Sequence, residues 1–193
     1  MPWEKQFDVD EALGKAMRAF WSKGYEATSM RDLVDAMGVN RGSLYATFGD
    51  KRALFIEALR RYSDREVSAV LSRARSGRSP REAVQALFDE VTADAGGGRN
   101  RDGCFLVNTA LELAPHDADI AKLVSSGFEV IQGFFRERIK EGQALGEINA
   151  AVDARDVARM LLAALIGIRV ISRSWPDQSL LNSIAAQAMA LLD

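Results

Sequence analysis

The sequence predicts an all-α fold, and three observations support this class. Only 4 of the 193 residues are proline, and the strong helix formers Ala, Leu, Arg and Glu are frequent. Apolar residues recur at spacings of three and four along most of the chain, as they do on one face of an amphipathic helix. No stretch shows the convincing alternation of apolar and polar residues that a half-buried strand requires.

The composition is that of an ordinary globular chain. Hydrophobic residues make up 48% and charged residues 27%, and the net charge of −2 excludes a polycation. The single cysteine rules out an intrachain disulfide and suits a reducing cytoplasm. The start, MPWEKQFDVDEAL, lacks the apolar core of a secretory signal, and the longest apolar run, residues 160–168, is about half of a membrane span. We therefore expect a cytoplasmic protein with no membrane partner.

Capping residues and glycines predict four helices in the first third of the chain, over residues 9–24, 29–37, 41–48 and 51–74. The candidate N-caps are Asp8 or Asp10, Thr28 or Ser29, Asn40, and Asp50. The segment RARSGRSP, residues 73–80, marks a boundary, after which helices are predicted over residues 80–95, 103–113, 117–142, 153–174 and 177–192. We divide the chain into a head (residues 1–50), a connecting helix (51–75) and a body (76–193).

The short helices on either side of Gly38-Val39-Asn40 fit a helix-turn-helix, which makes the head a three-helix DNA-binding domain. Arg41 can donate two hydrogen bonds to guanine, and hydroxyl and ammonium groups nearby can reach phosphates. The alternative is a helical hairpin with a solvated polar face. The candidate contacts to double-stranded DNA are Thr28, Arg31, Asn40, Arg41, Gly42, Ser43, Tyr45, Thr47 and Lys51.

Residues 20–54, FWSKGYEATSMRDLVDAMGVNRGSLYATFGDKRAL, resemble the N-terminal domain of the tetracycline-repressor (TetR/AcrR) family of transcription regulators. The resemblance implies a homodimer whose heads read DNA and whose C-terminal helices bind a ligand. It extends to GCFLVNTALELAPHD, which is similar to one branch of the C-terminal domains. The chain departs from the pattern at Ala46 and Thr47, where many relatives have Tyr or His, so the base preference stays open. The matching features are Phe20, Gly24-Tyr25, Thr28-Ser29-Met30, Met37-Gly38-Val39, Gly42-Ser43-Leu44-Tyr45, Phe48, and Lys51 with Leu54-Phe55.

A regulator needs a sensing part, and the body carries polar groups among apolar ones, as ligand pockets do. Glu112 and Arg169 lie in apolar stretches, so they should pair with each other or one of them should meet a ligand. For each single residue, the alternative is that it fills the helical core. The candidate contacts to a small apolar or amphipathic inducer are Cys104, Phe105, Asn108, Thr109, Glu112, Phe128, Ile131, Phe135, Arg169 and Trp175.

Cys104 admits a second interpretation. It opens a predicted helix close to Arg99 and Arg101, an environment that lowers a thiol pKa, so it could sense oxidants or electrophiles. The alternative is a small buried hydrophobic residue. His116 is the single histidine, and no nucleophile–base pair or cofactor motif is recognisable, so we expect no metal, no cofactor and no enzymatic activity.

The last two helices carry small and large apolar residues on one face and could form a two-fold four-helix bundle with a second copy. The alternative is packing within the chain, and the resemblance favours the dimer interface. Two-fold symmetry would place the recognition helices ~34–36 Å apart and predicts a palindromic operator. The sequence thus predicts a ligand-responsive transcriptional repressor that an inducer releases from its operator. The candidate interface residues are Ala163, Gly167, Val170, Leu180, Ile184 and Ala188.

Overall fold

The computed structural model of the chain describes residues 7–96 and 102–193, apart from the side chains of residues 95 and 96. Across these ranges the backbone forms helices and turns and no strand, which confirms the all-α class. No helix in the described ranges is long and apolar enough to cross a membrane.

The helices occur in the predicted order. Those of the head and the connecting segment are α1 (Val9–Lys23), α2 (Met30–Met37), α3 (Arg41–Phe48), α4 (Lys51–Arg61), a π-helical segment (Tyr62–Val67) and α5 (Ser68–Arg75). Those of the body are α6 (Pro80–Gly96), α7 (Phe105–Glu112), α8 (Ala118–Ala144), α9 (Ala154–Ser174) and α10 (Gln178–Ala190).

Side-chain caps fix where the helices of the head begin. The Asp8 carboxylate accepts the N–H groups of residues 10 and 11, so Asp8 rather than Asp10 caps α1. Ser29 and Asp32 form a reciprocal capping box at α2, which corrects the alternative cap at Thr28. Gly38 ends α2 at φ +68, a left-handed conformation that favours glycine, and α3 follows at once to complete the helix-turn-helix.

The connecting helix departs from the expectation of a regular α-helix over residues 51–74. Between α4 and α5 the chain widens into the π-helical segment, with hydrogen bonds of the i→i+5 type. The segment buries Tyr62 at one end and Val67 at the other, so both side chains face the interior. Helix propensity carries no signal for such a widened turn, because every residue in it is compatible with an α-helix.

Head and body share one core, which an aromatic cluster connects. We define the aromatic cluster as Phe20, Trp21, Tyr25, Phe55, Tyr62 and Phe105. The ring of Phe105, from α7 of the body, lies 5.4 Å from that of Phe55 in α4 and 5.6 Å from that of Tyr62, both edge to face. Such pairs stabilise by about 0.5–1.5 kcal/mol each beyond the burial of their area. The head therefore packs on the body through α4 and α7.

Two glycines of α8 provide a test of the packing. A Cβ atom at Gly127 would lie 2.7 Å from Cδ1 of Leu106, which is fully buried, whereas one at Gly133 would meet nothing within 4 Å. Gly133→Ala should stabilise the protein by ~0.5–1 kcal/mol through helix propensity. Gly127→Ala should destabilise it by ~1–3 kcal/mol through overpacking. Urea unfolding at one protomer concentration measures both, and equal effects would contradict this packing.

Candidate nucleic-acid interface and ligand cavity

One face of helix α3 packs against the rest of the head, and the opposite face is exposed. Leu44 and Phe48 are buried in the core, and Asn40 caps the helix by accepting the Ser43 N–H at 2.8 Å. The first residues of the exposed face are Arg41 and Gly42, followed by Tyr45 and Ala46. A Cβ atom at Gly42 would meet only the cap oxygen of Asn40, at 3.4 Å, so packing within the protomer does not demand a glycine there.

Arg41 and Tyr45 lie one turn apart and contact each other on the surface of α3. The Arg41 guanidinium carbon lies 5.6 Å from the centre of the Tyr45 ring, and its Nη2 donates to the Tyr45 hydroxyl at 3.4 Å. This cation–π contact restricts a long side chain that is otherwise exposed. The guanidinium keeps N–H donors free for an acceptor outside the protein.

Lys51 begins α4, three residues after the end of α3. Its Nζ lies 4.3 Å from the centre of the Tyr25 ring, and Asp50 caps the helix through the N–H of Ala53 at 2.7 Å. The ammonium group is therefore held over an aromatic face near a helix N-terminus, where the N–H dipoles also favour an anion.

The other predicted DNA contacts differ in what they offer. Thr28 is 0% exposed and its hydroxyl donates to the Gly24 carbonyl at 2.5 Å, so the prediction that it contacts a phosphate is wrong. Arg31 is exposed, and its Nε lies 3.8 Å from a carboxylate oxygen of Asp35. Ser43 and Thr47 are half-buried.

A cavity of about 530 Å³ lies where the connecting helix meets the body. Its wall is mostly apolar, and it includes three of the predicted ligand contacts, Cys104, Ile131 and Arg169. The remaining lining residues are Trp21, Tyr62, Glu66, Val67, Val70, Leu71, Arg73, Leu87, Glu90, Val91, Ala93, Asp94 and Leu165.

The other predicted ligand contacts lie outside the cavity wall. Phe105, Thr109 and Phe135 are buried in the core, and the Thr109 hydroxyl donates to a carbonyl of its own helix. Asn108 donates to the Asp102 carbonyl and accepts from Arg173, so its amide serves the loop before α7. Trp175 is 61% exposed beyond the end of α9, and Phe128 packs against the edge of the core. Glu112, at the end of α7, contacts the head and not the cavity.

Sequence reasoning missed the contribution of α1 and the connecting helix to the cavity. The Trp21 indole donates to the Gly103 carbonyl at 3.2 Å, and the Tyr62 hydroxyl donates to Cys104 Sγ at 3.5 Å. Burial raises the pKa of Tyr62 well above its usual value, with the Cys104 thiol adding to the effect, so this hydroxyl stays protonated at neutral pH. The available signal was the charged residues beside the apolar stripe of the connecting helix, Glu66 among them.

Charged residues of the cavity wall pair across helices. Arg169 Nη1 bonds Asp94 Oδ2 at 2.7 Å, and Arg73 Nη2 bonds Glu90 Oε1 at 2.6 Å. Of the two alternatives for Arg169 and Glu112, the pairing with each other is therefore excluded. The cavity wall is thus mostly apolar and also carries charged groups of both signs.

Glu112 instead ties the end of α7 to the head. Its Oε2 accepts the Tyr25 N–H at 3.1 Å, and its Oε1 accepts the Glu26 N–H at 2.9 Å. Arg52 of α4 makes a second link, with two bonds to Asp117 at 2.7 and 2.9 Å and one to Asp119 at 2.9 Å. The bonds from Arg52 lower the pKa of Asp117 to about 2, so this link persists at any physiological pH.

Cys104 is 8% exposed and forms part of the cavity wall as a small side chain. Arg99 and Arg101, which the sequence placed near it, lie outside the described residues. His116 is exposed in the turn before α8. Among the described residues, no group of three or more His, Cys, Asp or Glu side chains is arranged to hold a metal ion.

One face of α9 is apolar and uncovered. Met160 is 57% exposed, Ala163 and Val170 are exposed, and a Cβ atom at Gly167 would meet nothing within 4 Å. Leu180 and Ile184 of α10 are half-buried. Ala188 is 4% exposed and packs within the protomer, so its assignment to an interface is wrong.

Comparisons with known proteins agree with this geometry. Residues 12–58 match the model of the family described as bacterial regulatory proteins, tetR family, and residues 80–188 match the tetracyclin repressor-like C-terminal domain. The transcriptional repressor ComR of Escherichia coli is 35% identical over 190 residues, which cover 97% of this chain and 90% of ComR. The uncharacterised regulator YezE of Bacillus subtilis is 29% identical over 190 residues, which cover 98% of both chains.

A solved structure extends the likeness to three dimensions. It is a cysteine mutant of the TetR family transcriptional regulator CifR in complex with a 26-bp double-strand operator DNA. Its TM-score is 0.84 at 30% identity, and the match covers 97% of each chain. One family model covers most of the head and the other the body, whereas each of these relatives spans both. The chain therefore belongs to the TetR family of helix-turn-helix transcriptional regulators.

Proposed function

We propose that this protein is a ligand-responsive repressor that binds a palindromic operator as a homodimer and is released by a small apolar or amphipathic inducer. The observation that carries the proposal is the position of the cavity. The π-helical segment and α5 form one of its walls, and they continue directly from α4, whose Phe55 contacts Phe105 of the body. The proposal implies a cytoplasmic location, where bacterial DNA lies.

Operator binding is supported by the exposed face of α3 and by the relatives. Arg41 is the candidate base-reading residue, and Lys51 and Tyr45 are candidates for phosphate contacts. Arg31, Asn40, Gly42, Ser43 and Thr47 border this surface. ComR is named a transcriptional repressor, and CifR is seen on operator DNA.

A homodimer is supported by the uncovered apolar face of α9. Water-exposed apolar surface of this kind favours association with a second copy. A two-fold axis through α9 and α10 would set the two α3 helices ~34–36 Å apart, the spacing of successive major grooves. The operator should then be a palindrome.

The dimer would leave the operator when it shifts from a state whose heads are spaced for successive grooves to a state whose heads are not. An inducer that binds better to the state with the wrong spacing lowers the affinity for the operator. Linkage requires that the operator weaken inducer binding by the same factor. The cavity suits a mostly apolar molecule that can also use Arg169 or the acidic groups of the wall.

The proposal is tested by fluorescence anisotropy of the purified protein with fragments that tile its upstream DNA, over a series of salt concentrations. Tight, salt-sensitive binding to one palindromic fragment is expected. A screen of apolar and amphipathic compounds against that complex then searches for release. Absence of binding to any fragment at low salt would contradict the proposal.

Arg41→Ala should weaken binding to the operator by ~1–3 kcal/mol and relax the preference at one base pair of each half-site, because a bidentate contact to guanine is lost. The measurement is anisotropy against operators that carry every base at each position. An unchanged order of preference among these operators would remove Arg41 from base reading.

Lys51→Ala should weaken binding to all sequences alike. The slope of log K against log salt is negative, and the loss of one phosphate contact in each protomer reduces its magnitude by about 2 for the dimer. The slope is measured between about 50 and 200 mM salt. A slope equal to that of the wild type would show that Lys51 does not contact a phosphate.

Gly167→Arg should abolish dimerisation without harming the protomer, because an added side chain there meets no atom of its own chain within 4 Å. Gly133→Arg is the matched control, since Gly133 lies in α8 with equally open space around it. Sedimentation velocity should show a monomer for Gly167→Arg and a dimer for the control. A dimer in both variants would place the interface elsewhere.

A further inference from the structure

The turn between α1 and α2 is closed around a carboxylate from the body. Glu112, at the end of α7, accepts the N–H groups of Tyr25 and Glu26 with one oxygen each. These two residues belong to the head and lie 87 and 86 positions away in the chain. Hydrogen bonds from two adjacent N–H groups to one carboxylate are charge-assisted and fix the orientation of the turn.

The first residue of this turn, Gly24, leaves room for the carboxylate. Gly24 has φ +85, and a Cβ atom on it would lie 3.0 Å from Glu112 Oε2 and 3.2 Å from Oε1. Both the backbone conformation and the space therefore favour glycine at this position. The turn and the carboxylate fit together as one unit.

Tyr25 carries this unit to the DNA-facing surface. Its ring lies edge to face with Phe55 at 5.0 Å and supports the Lys51 ammonium at 4.3 Å. The Tyr25 backbone is held by Glu112, and its side chain in turn holds Lys51. A contact chain thus runs from the body to a cation of the candidate DNA interface.

We propose that Glu112 is a positioning residue for operator binding, which holds the Gly24–Glu26 turn so that the Tyr25 ring directs Lys51 at a phosphate. The inference rests on the proposed function, because it assigns Lys51 a phosphate contact. It deepens that function by naming the group of the body that sets the geometry of the contact. Glu112 touches no DNA itself.

The position of α7 gives this link a regulatory meaning. Cys104, the residue that precedes α7, lines the cavity, and Glu112 is the last residue of the helix. Phe105 of the same helix contacts Tyr62, another residue of the cavity wall. A ligand that displaces α7 would therefore disturb the hold on Tyr25 and, through it, Lys51.

The charge change and the loss of positioning have opposite effects on operator affinity, so the direction of the change distinguishes them. Glu112→Gln removes a negative charge, and long-range attraction to DNA alone would then strengthen binding. Loss of the hold on Tyr25 would weaken it, because one amide oxygen replaces two carboxylate oxygens that face two N–H donors. Glu129→Gln is the matched control, since it makes the same charge change at an exposed position of α8.

The experiment measures operator affinity and its salt slope for the full-length dimer by anisotropy. Glu112→Gln should weaken binding on the order of tenfold and lower the slope by up to about 2, as Lys51→Ala does. Glu129→Gln should bind as tightly as the wild type or slightly more tightly. Thermal melts of each variant establish that it is folded at the temperature of the titration.

A double-mutant cycle separates positioning from a general structural role. If Glu112 acts through Lys51, Glu112→Gln should have no further effect on affinity in the Lys51→Ala background. Additive losses would overturn the inference. The inference would also be overturned if Lys51→Ala changed the salt slope and Glu112→Gln did not. If Lys51→Ala itself left the slope unchanged, the phosphate contact assumed in the proposed function would be removed instead.

Tyr25 supplies a second, independent pair of variants in case Glu112→Gln does not fold. Tyr25→Phe keeps the ring under the Lys51 ammonium and should keep the slope of the wild type. Tyr25→Leu removes the aromatic face and should lower the slope as Lys51→Ala does. Equal slopes for the two variants would contradict the role of the ring.

Discussion

The aromatic cluster joins the head to the body, and the orientation of the candidate DNA-binding surface relative to the body depends on it. Phe105 of the body inserts its ring between Phe55 and Tyr62 of the connecting helix, and Tyr25 closes the cluster on the side of the head. Aromatic rings prefer a small set of mutual angles, so the cluster fixes orientation as well as burying area. Because Tyr62 also lines the cavity, a change in the cavity wall reaches the cluster directly.

Polar bonds complete what the cluster begins. Glu112 binds backbone groups of the head, and Asp117 of the body pairs with Arg52 of the connecting helix. Exposed ion pairs contribute little to stability, but they select among packed orientations of similar free energy. Under the proposed function, these bonds would have to rearrange when an inducer changes the orientation of the head relative to the body.

The sequence alone predicted features that depend on residues close together in the chain, such as the starts of helices. Asn40 and Asp50 begin helices where their side chains predicted, and Asp8, one of the two candidates for the first helix, begins α1. It was insufficient for contacts between distant segments. Glu112 binds backbone groups, which leave no trace in the pattern of side chains. The cavity draws its wall from five helices, from the widened turn that begins at Tyr62, and from Cys104 before α7.

The most direct test of the junction is amide hydrogen exchange of the Tyr25 and Glu26 N–H groups in the wild-type protein. Both groups lie in a turn between helices, where an N–H open to water exchanges fast. If the Glu112 carboxylate accepts both bonds in solution, the two amides should be protected and should lose that protection in Glu112→Gln. Exchange at the rate of an open turn in the wild-type protein would contradict the account.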